Sequence, residues 1–156
     1  MIQLRNSLVR LGKLNTALAE ASARRDQDRN AIITSLRQSF SEECGFFLVN
    51  LQELLRYDER ALFAQLQDEF DEMRTKLAGH QAKWTPEAIN RNYASYVADK
   101  HAIYSMIERF VNESIAAIAD LVALERHQME AGDGPLVHDR LAHPVLKYST
   151  IGEHSE

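Results

Sequence analysis

The sequence predicts an all-α chain: an up-and-down four-helix bundle with one unusually long C-terminal helix and an irregular tail. Three observations carry the prediction. Helix breakers are scarce: Pro86, Pro135 and Pro144 are the only prolines, and Gly132, Gly134 and Gly152 are three of only six glycines. Leu4, Leu8, Leu11, Leu14 and Leu18 recur at the spacing of one helix face. From Ile89 onward, positions three and four apart read Ile89, Tyr93, Tyr96, Lys100, Ile103, Ile107, Phe110, Ser114, Ala117, Leu121, Leu124 and Gln128, and nine of these twelve are apolar.

The first segment, residues 2 to 38, turns very polar between Glu20 and Asn30 and becomes apolar again at Ile32, Ile33, Leu36 and Phe40. It reads as one long helix with a polar middle or as two helices joined near residues 22 to 27. Ser39 and Glu42 match a capping box, so a new helix is expected there. Its body, Phe46, Phe47, Leu48, Val49, Leu51, Leu54 and Leu55, is apolar nearly all round and predicts a central position. Asp58 is expected to cap or kink the chain. The next helix places Leu62, Leu66, Phe70, Met73 and Leu77 on one face and ends near Trp84.

Thr85-Pro86-Glu87 is the clearest punctuation: threonine suits an N-cap, proline the first helical position, and an acid the positive end of the helix dipole. The helix it opens is expected to run unbroken to Met129. About 43 residues at ~1.5 Å each span roughly 65 Å, more than a compact bundle of this chain length needs. Its end is therefore expected to project, kink or pack on a partner, and a homodimer or a helical protein partner is the economical expectation. Gly132-Asp133-Gly134-Pro135 stops it, which divides the chain into a bundle at 1–131 and an extended tail at 132–156.

Composition excludes more than it assigns. The 156 residues suit one domain and carry a net charge of −5. Arg24, Arg25 and Arg29 form the only dense basic cluster, and Asp26 and Asp28 are interleaved with them. A solvated face with internal ion pairs is expected there, and no nucleic-acid footprint. Cys44 is the single cysteine, set beside Phe46 and Phe47, so a buried structural thiol is expected and a four-thiolate zinc site is excluded. No run approaches the ~18 apolar residues of a membrane span, and the first residues lack the basic-then-apolar order of a secretion signal. A cytoplasmic protein is the expectation.

No catalytic set is complete, and the expectation leans away from an enzyme. There is no Gly-x-Ser-x-Gly elbow and no glycine-rich phosphate loop. None of the six histidines, His80, His101, His127, His138, His143 and His154, has a histidine partner at helical metal-site spacing. His138 and His143 flank Asp139 and could hold a metal incidentally. Tyr93, Tyr96, Tyr104 and Phe110 lie on or beside the long seam, either as core or as the lining of a small pocket between helices.

One resemblance stands out. Asp71-Glu72-Met73, Trp84, Glu87-Ala88-Ile89, Asn92-Tyr93, Tyr96, and Ile107-Glu108-Arg109-Phe110 with Glu113 resemble the second half of some bacterial hemerythrin-like (HHE) helical bundles. Asp58-Glu59-Arg60-Ala61-Leu62-Phe63 is similar to a worn form of that family's His-Leu-x-x-Glu-Asp-x-x-Leu-Tyr segment. The resemblance implies a four-helix bundle able to hold two irons for oxygen binding, sensing or storage. The histidine it expects one turn before Asp58-Glu59 falls on Leu54 or Leu55, and the first-helix histidine falls near Arg29-Asn30.

Three readings follow. The first is a non-enzymatic interaction or regulatory bundle without cofactor that self-associates. The second is a degenerate hemerythrin-like bundle holding iron through His80, His101, Glu108 or Glu113. The third is a histidine phosphotransfer module, with His101 beside Lys100 as its only mid-helix candidate.

Overall fold

The computed structural model describes residues 1–57 and 60–132. Among them the fold is all-α, with five helices: α1 Ile2–Ala23, α2 Arg29–Tyr57, α3 Ala61–Lys83, α4 Pro86–Arg91 and α5 Tyr93–Gly132. The expected capping role of Asp58, the stop at Gly132 to Pro135 and the tail lie wholly or mainly outside the described residues.

α1 buries the face its leucines announce: Leu4, Leu8, Leu11 and Leu18 are all but inaccessible. It stops at Arg24, whose backbone turns extended. The polar stretch after it is a turn, the second of the two sequence alternatives. Asp26 organises this turn, accepting from the Asp28 amide at 3.2 Å and from Arg24 Nε at 2.9 Å. Such side-chain-to-backbone bonds offer the chain an alternative to helix.

α2 departs from expectation twice. Ser39 lies inside a helix that runs unbroken from Arg29, so the Ser39–Glu42 pair is not a cap. The cap chemistry has no work there, because the amides of that turn already bond to the preceding helical carbonyls. Nor is α2 covered on all sides. Ile33, Phe40, Cys44, Phe47 and Leu51 face the core, while Phe46 and Val49 are 62% and 63% exposed.

α3 contributes Phe63, Leu66, Phe70, Met73 and Leu77, and Trp84 follows as a buried C-cap residue. Thr85 caps α4 as predicted, its Oγ1 accepting from the Ala88 amide at 3.2 Å with Pro86 at the helix start. The single helix expected from Pro86 to Met129 is broken at Asn92, where φ is −143° and ψ is 63°. Asn92 closes one helix and opens the next. Its amide donates to the Ala88 carbonyl at 3.1 Å, and its Oδ1 accepts from the Ser95 amide at 3.3 Å. Asparagine tolerates this because its short side chain replaces the backbone partners lost at a helix end.

The helices pair in opposite directions. Along α1 and α5, Gly12 meets Val111, Asn15 meets Tyr104 and Ser22 meets Lys100. Along α3 and α5, Arg60 meets Glu125 and Lys83 meets Asp99. α1 packs most extensively, on α2 and then on α5; α3 leans on α5, and the α2–α3 side is much more sparsely contacted. Gly12 permits the close α1–α5 approach, since a Cβ there would sit 3.3 Å from Val111 Cγ1.

The interior divides in two. The main core centres on Phe47, Phe70 and Phe110, whose ring centroids lie 4.5 to 6.0 Å apart. A smaller cluster of Ala21, Ile33, Trp84, Ile89 and Tyr96 fills the end beside α4. The predicted seam is buried or half-buried from Ile89 to Leu121, then surfaces at Leu124 and Gln128. Forty residues give α5 a length of about 60 Å, so it outruns α1 and α3. No described helix is long and apolar enough to cross a membrane.

Candidate functional site

The residues proposed as iron ligands do not gather. His80, in the last turn of α3, is buried with its ring 6.0 Å from that of Tyr96. His101, Glu108 and Glu113 are exposed on α5. Helix geometry separates His101 from Glu108 by about 10 Å along the axis and turns Glu108 and Glu113 about 140° apart. Among the described residues, no group of three or more His, Cys, Asp or Glu side chains is placed to hold a metal ion. The half-buried Leu54 and Leu55, standing where the resemblance expects histidine, pack against the core instead. The diiron set that the resemblance implies therefore does not fit the described residues.

His80 sits where the charged imidazolium is disfavoured. Burial is the main force lowering its pKa, followed by the positive charge of Arg37, with Asp99 opposing. Its Nε2 is buried without a hydrogen-bond partner among the described residues. His101 stands in solvent, but the neighbouring Lys100 turns inward: its Nζ donates to Ser22 Oγ at 2.8 Å and lies 5.9 Å from the Tyr96 ring centre. Desolvation lowers the Lys100 pKa.

Ser22 is the hub of a buried polar network that the sequence did not announce. Besides accepting from Lys100, its hydroxyl donates to the Ala19 carbonyl at 2.7 Å, and its own carbonyl accepts from the Tyr93 hydroxyl at 3.1 Å. The Tyr96 and Tyr104 hydroxyls share a 3.2 Å hydrogen bond. Burial, and then that bond, push the Tyr104 pKa up. On the opposite flank, Trp84 Nε1 donates to Asp99 Oδ2 at 3.1 Å, and Lys83 pairs with the same carboxylate. Lys83 first, then Trp84, hold Asp99 below the usual carboxylate range. These tyrosine hydroxyls are bonded to protein groups, which is the behaviour of a core rather than of a ligand-lining wall. Cys44 is also buried, and burial pushes its thiol up to about 12, away from the reactive thiolate.

The surface offers a clearer candidate. Ile2, Phe46, Val49, Val122, Leu124 and Met129 are six of the seven large hydrophobic side chains exposed among the described residues. The pairings place them in one half of the molecule. Arg10 binds Glu43 and Arg60 binds Glu125, so the start of α1, the later part of α2 and the end of α5 point the same way. Exposed apolar side chains are individually ordinary, but these six gather in the half of the molecule where α5 outruns its neighbours.

Comparisons with protein-family models, curated proteins and solved structures return no match to this chain.

Proposed function

We propose that the chain is a non-enzymatic interaction or regulatory protein, an up-and-down bundle of four long helices in which α4 serves as a jointed turn. It self-associates through its apolar end. The observation behind this reading is the α5 seam, which surfaces at Leu124 in the same half as Ile2, Phe46, Val49 and Met129. A helix that continues an apolar stripe beyond its own partners leaves that stripe for a second helix. A second copy offers the same stripe in a two-fold arrangement, the commonest way such surfaces are satisfied.

Sedimentation equilibrium of the full chain tests this, beside Leu124→Lys and Phe46→Lys variants. A dimer that the substitutions convert to folded monomers supports the reading. A wild-type chain that stays monomeric at high micromolar concentration overturns self-association.

A further inference from the structure

Between α2 and α3, on the sparsely contacted side of the molecule, lies a groove of about 410 Å3. That is within the range of small-molecule sites. It is built from two facing stripes. On α2, Arg37, Phe40, Ser41 and Cys44 follow one helical face; on α3, Asp71, Arg74, Thr75, Ala78 and Gln81 do the same. Its floor is apolar, with Phe40, Cys44 and Leu77 all buried.

Two arginines line it, one from each helix. Arg37 is half-buried and Arg74 exposed, and neither guanidinium donates a hydrogen bond to a described residue or forms an ion pair with one. Arg37 is half-buried, and its charge is felt by His80 and Tyr104. Arg74 stacks 5.7 Å from the Phe70 ring centre and its charge is felt by Cys44. Asp71 is the one carboxylate on the groove, one turn before Arg74 and not paired with it. The groove therefore carries two guanidiniums against one carboxylate above an apolar floor. The half-buried Arg37 has five donors, and those turned from solvent are costly to leave without acceptors, while the exposed Arg74 stands at the open side of the groove.

We propose that this groove binds a small amphipathic organic anion. Its carboxylate, sulfonate or phosphate head meets Arg37 and Arg74, and its apolar body lies on Phe40, Cys44 and Leu77. The inference is independent of the self-association reading, which rests on another surface.

Fluorescence titration with 8-anilinonaphthalene-1-sulfonate, with octanoate and 1-octanol as competitors, tests it on the full chain. The expected result is saturable binding displaced by octanoate and not by 1-octanol. Arg37→Gln and Arg74→Gln are each expected to weaken binding about tenfold, the loss of one charge-assisted hydrogen bond. Phe46→Ser, on the apolar end, leaves binding unchanged. Amide chemical-shift changes of the unmodified chain on adding octanoate provide a second readout, expected at Ser41, Thr75 and Ala78. The proposal is overturned by any of four results: no saturable binding, equal displacement by octanol, displacement by inorganic phosphate as effective as by octanoate (a bare anion site), or shifts confined to the apolar end.

Discussion

The Arg10 guanidinium grips the Glu43 carboxylate with two hydrogen bonds, Nε to Oε2 at 2.8 Å and Nη2 to Oε1 at 3.0 Å, across the α1–α2 contact. Glu43 is 8% exposed, whereas half of the Arg10 side chain faces solvent. Such forked pairs fix geometry as well as adding energy. Arg10→Met leaves a buried carboxylate without its main partner. It is expected to lower stability by on the order of 1 kcal/mol, tempered by the exposure of Arg10. Adding Glu43→Leu should recover most of that loss, because an apolar pair needs no desolvated charge. Urea titration of the single and double variants checks this; a double variant less stable than the single one would contradict it.

The aromatic trio predicts a larger effect. Phe47, Phe70 and Phe110 come from α2, α3 and α5, and Phe47 and Phe70 are fully buried. Phe47→Ala should cost about 3 to 5 kcal/mol, because the rigid rings around it cannot close the void. Phe110→Asp should be at least as damaging, since it sets a carboxylate against the other two rings. Thermal unfolding followed by circular dichroism gives the answer, and an unchanged Tm for either would remove these rings from the core.

His80 makes an acid-sensitive element. Its folded pKa lies below the ordinary 6.5, through burial first and Arg37 second. The unfolded chain therefore binds a proton at His80 before the folded chain does. Stability from this group is complete above 6.5 and is lost as the pH falls below it. Asp26, Glu72 and Asp99 also carry lowered values, but they start from ordinary values of 3.8 to 4.5, so their loss comes at lower pH. Between pH 6.5 and 5 the decline should be mainly that of His80, and His80→Gln should flatten it in urea titrations across that range.

Cys44 answers at the other end of the scale. With its thiol raised from 9.0 to about 12 by burial, the folded chain keeps a proton that the unfolded chain gives up. Stability therefore falls as the pH rises above 9. Urea titrations at neutral and at alkaline pH check this, and Cys44→Ala is expected to remove that part of the alkaline decline. An identical decline in the variant would show that the thiol does not contribute.

Much of this architecture was legible from periodicity and punctuation. Leu4 to Leu18 and the seam from Ile89 to Leu121 are buried or half-buried as their spacing requires, and Thr85-Pro86 caps a helix because both residues satisfy local backbone needs. Local signals misled where packing or continuity decided the outcome. Ser39 and Glu42 have capping chemistry, but the helix was already running through them. Asn92 escaped notice because Ile89 and Tyr93 keep the apolar spacing across the break. Phe46 and Val49 carry no mark in the sequence that tells an outward apolar face from an inward one. The Ser22–Lys100 bond joins residues 78 apart, and the lack of a partner for Arg37 and Arg74 among the described residues depends on what the opposite helix fails to offer. Neither can be read from spacing along one helix.

The divided interior has a kinetic consequence. The small cluster around Ile89 and Tyr96 rests on α4, a six-residue helix, and on the joint at Asn92. Amides there should exchange with solvent through a local opening that releases α4 and the start of α5 while the phenylalanine trio stays closed. Amides near Phe47 and Phe110 should exchange only when the whole chain unfolds. The molecule would then consist of two cooperative units of unequal stability, and opening of the weaker one would lift Tyr96 from the ring of His80.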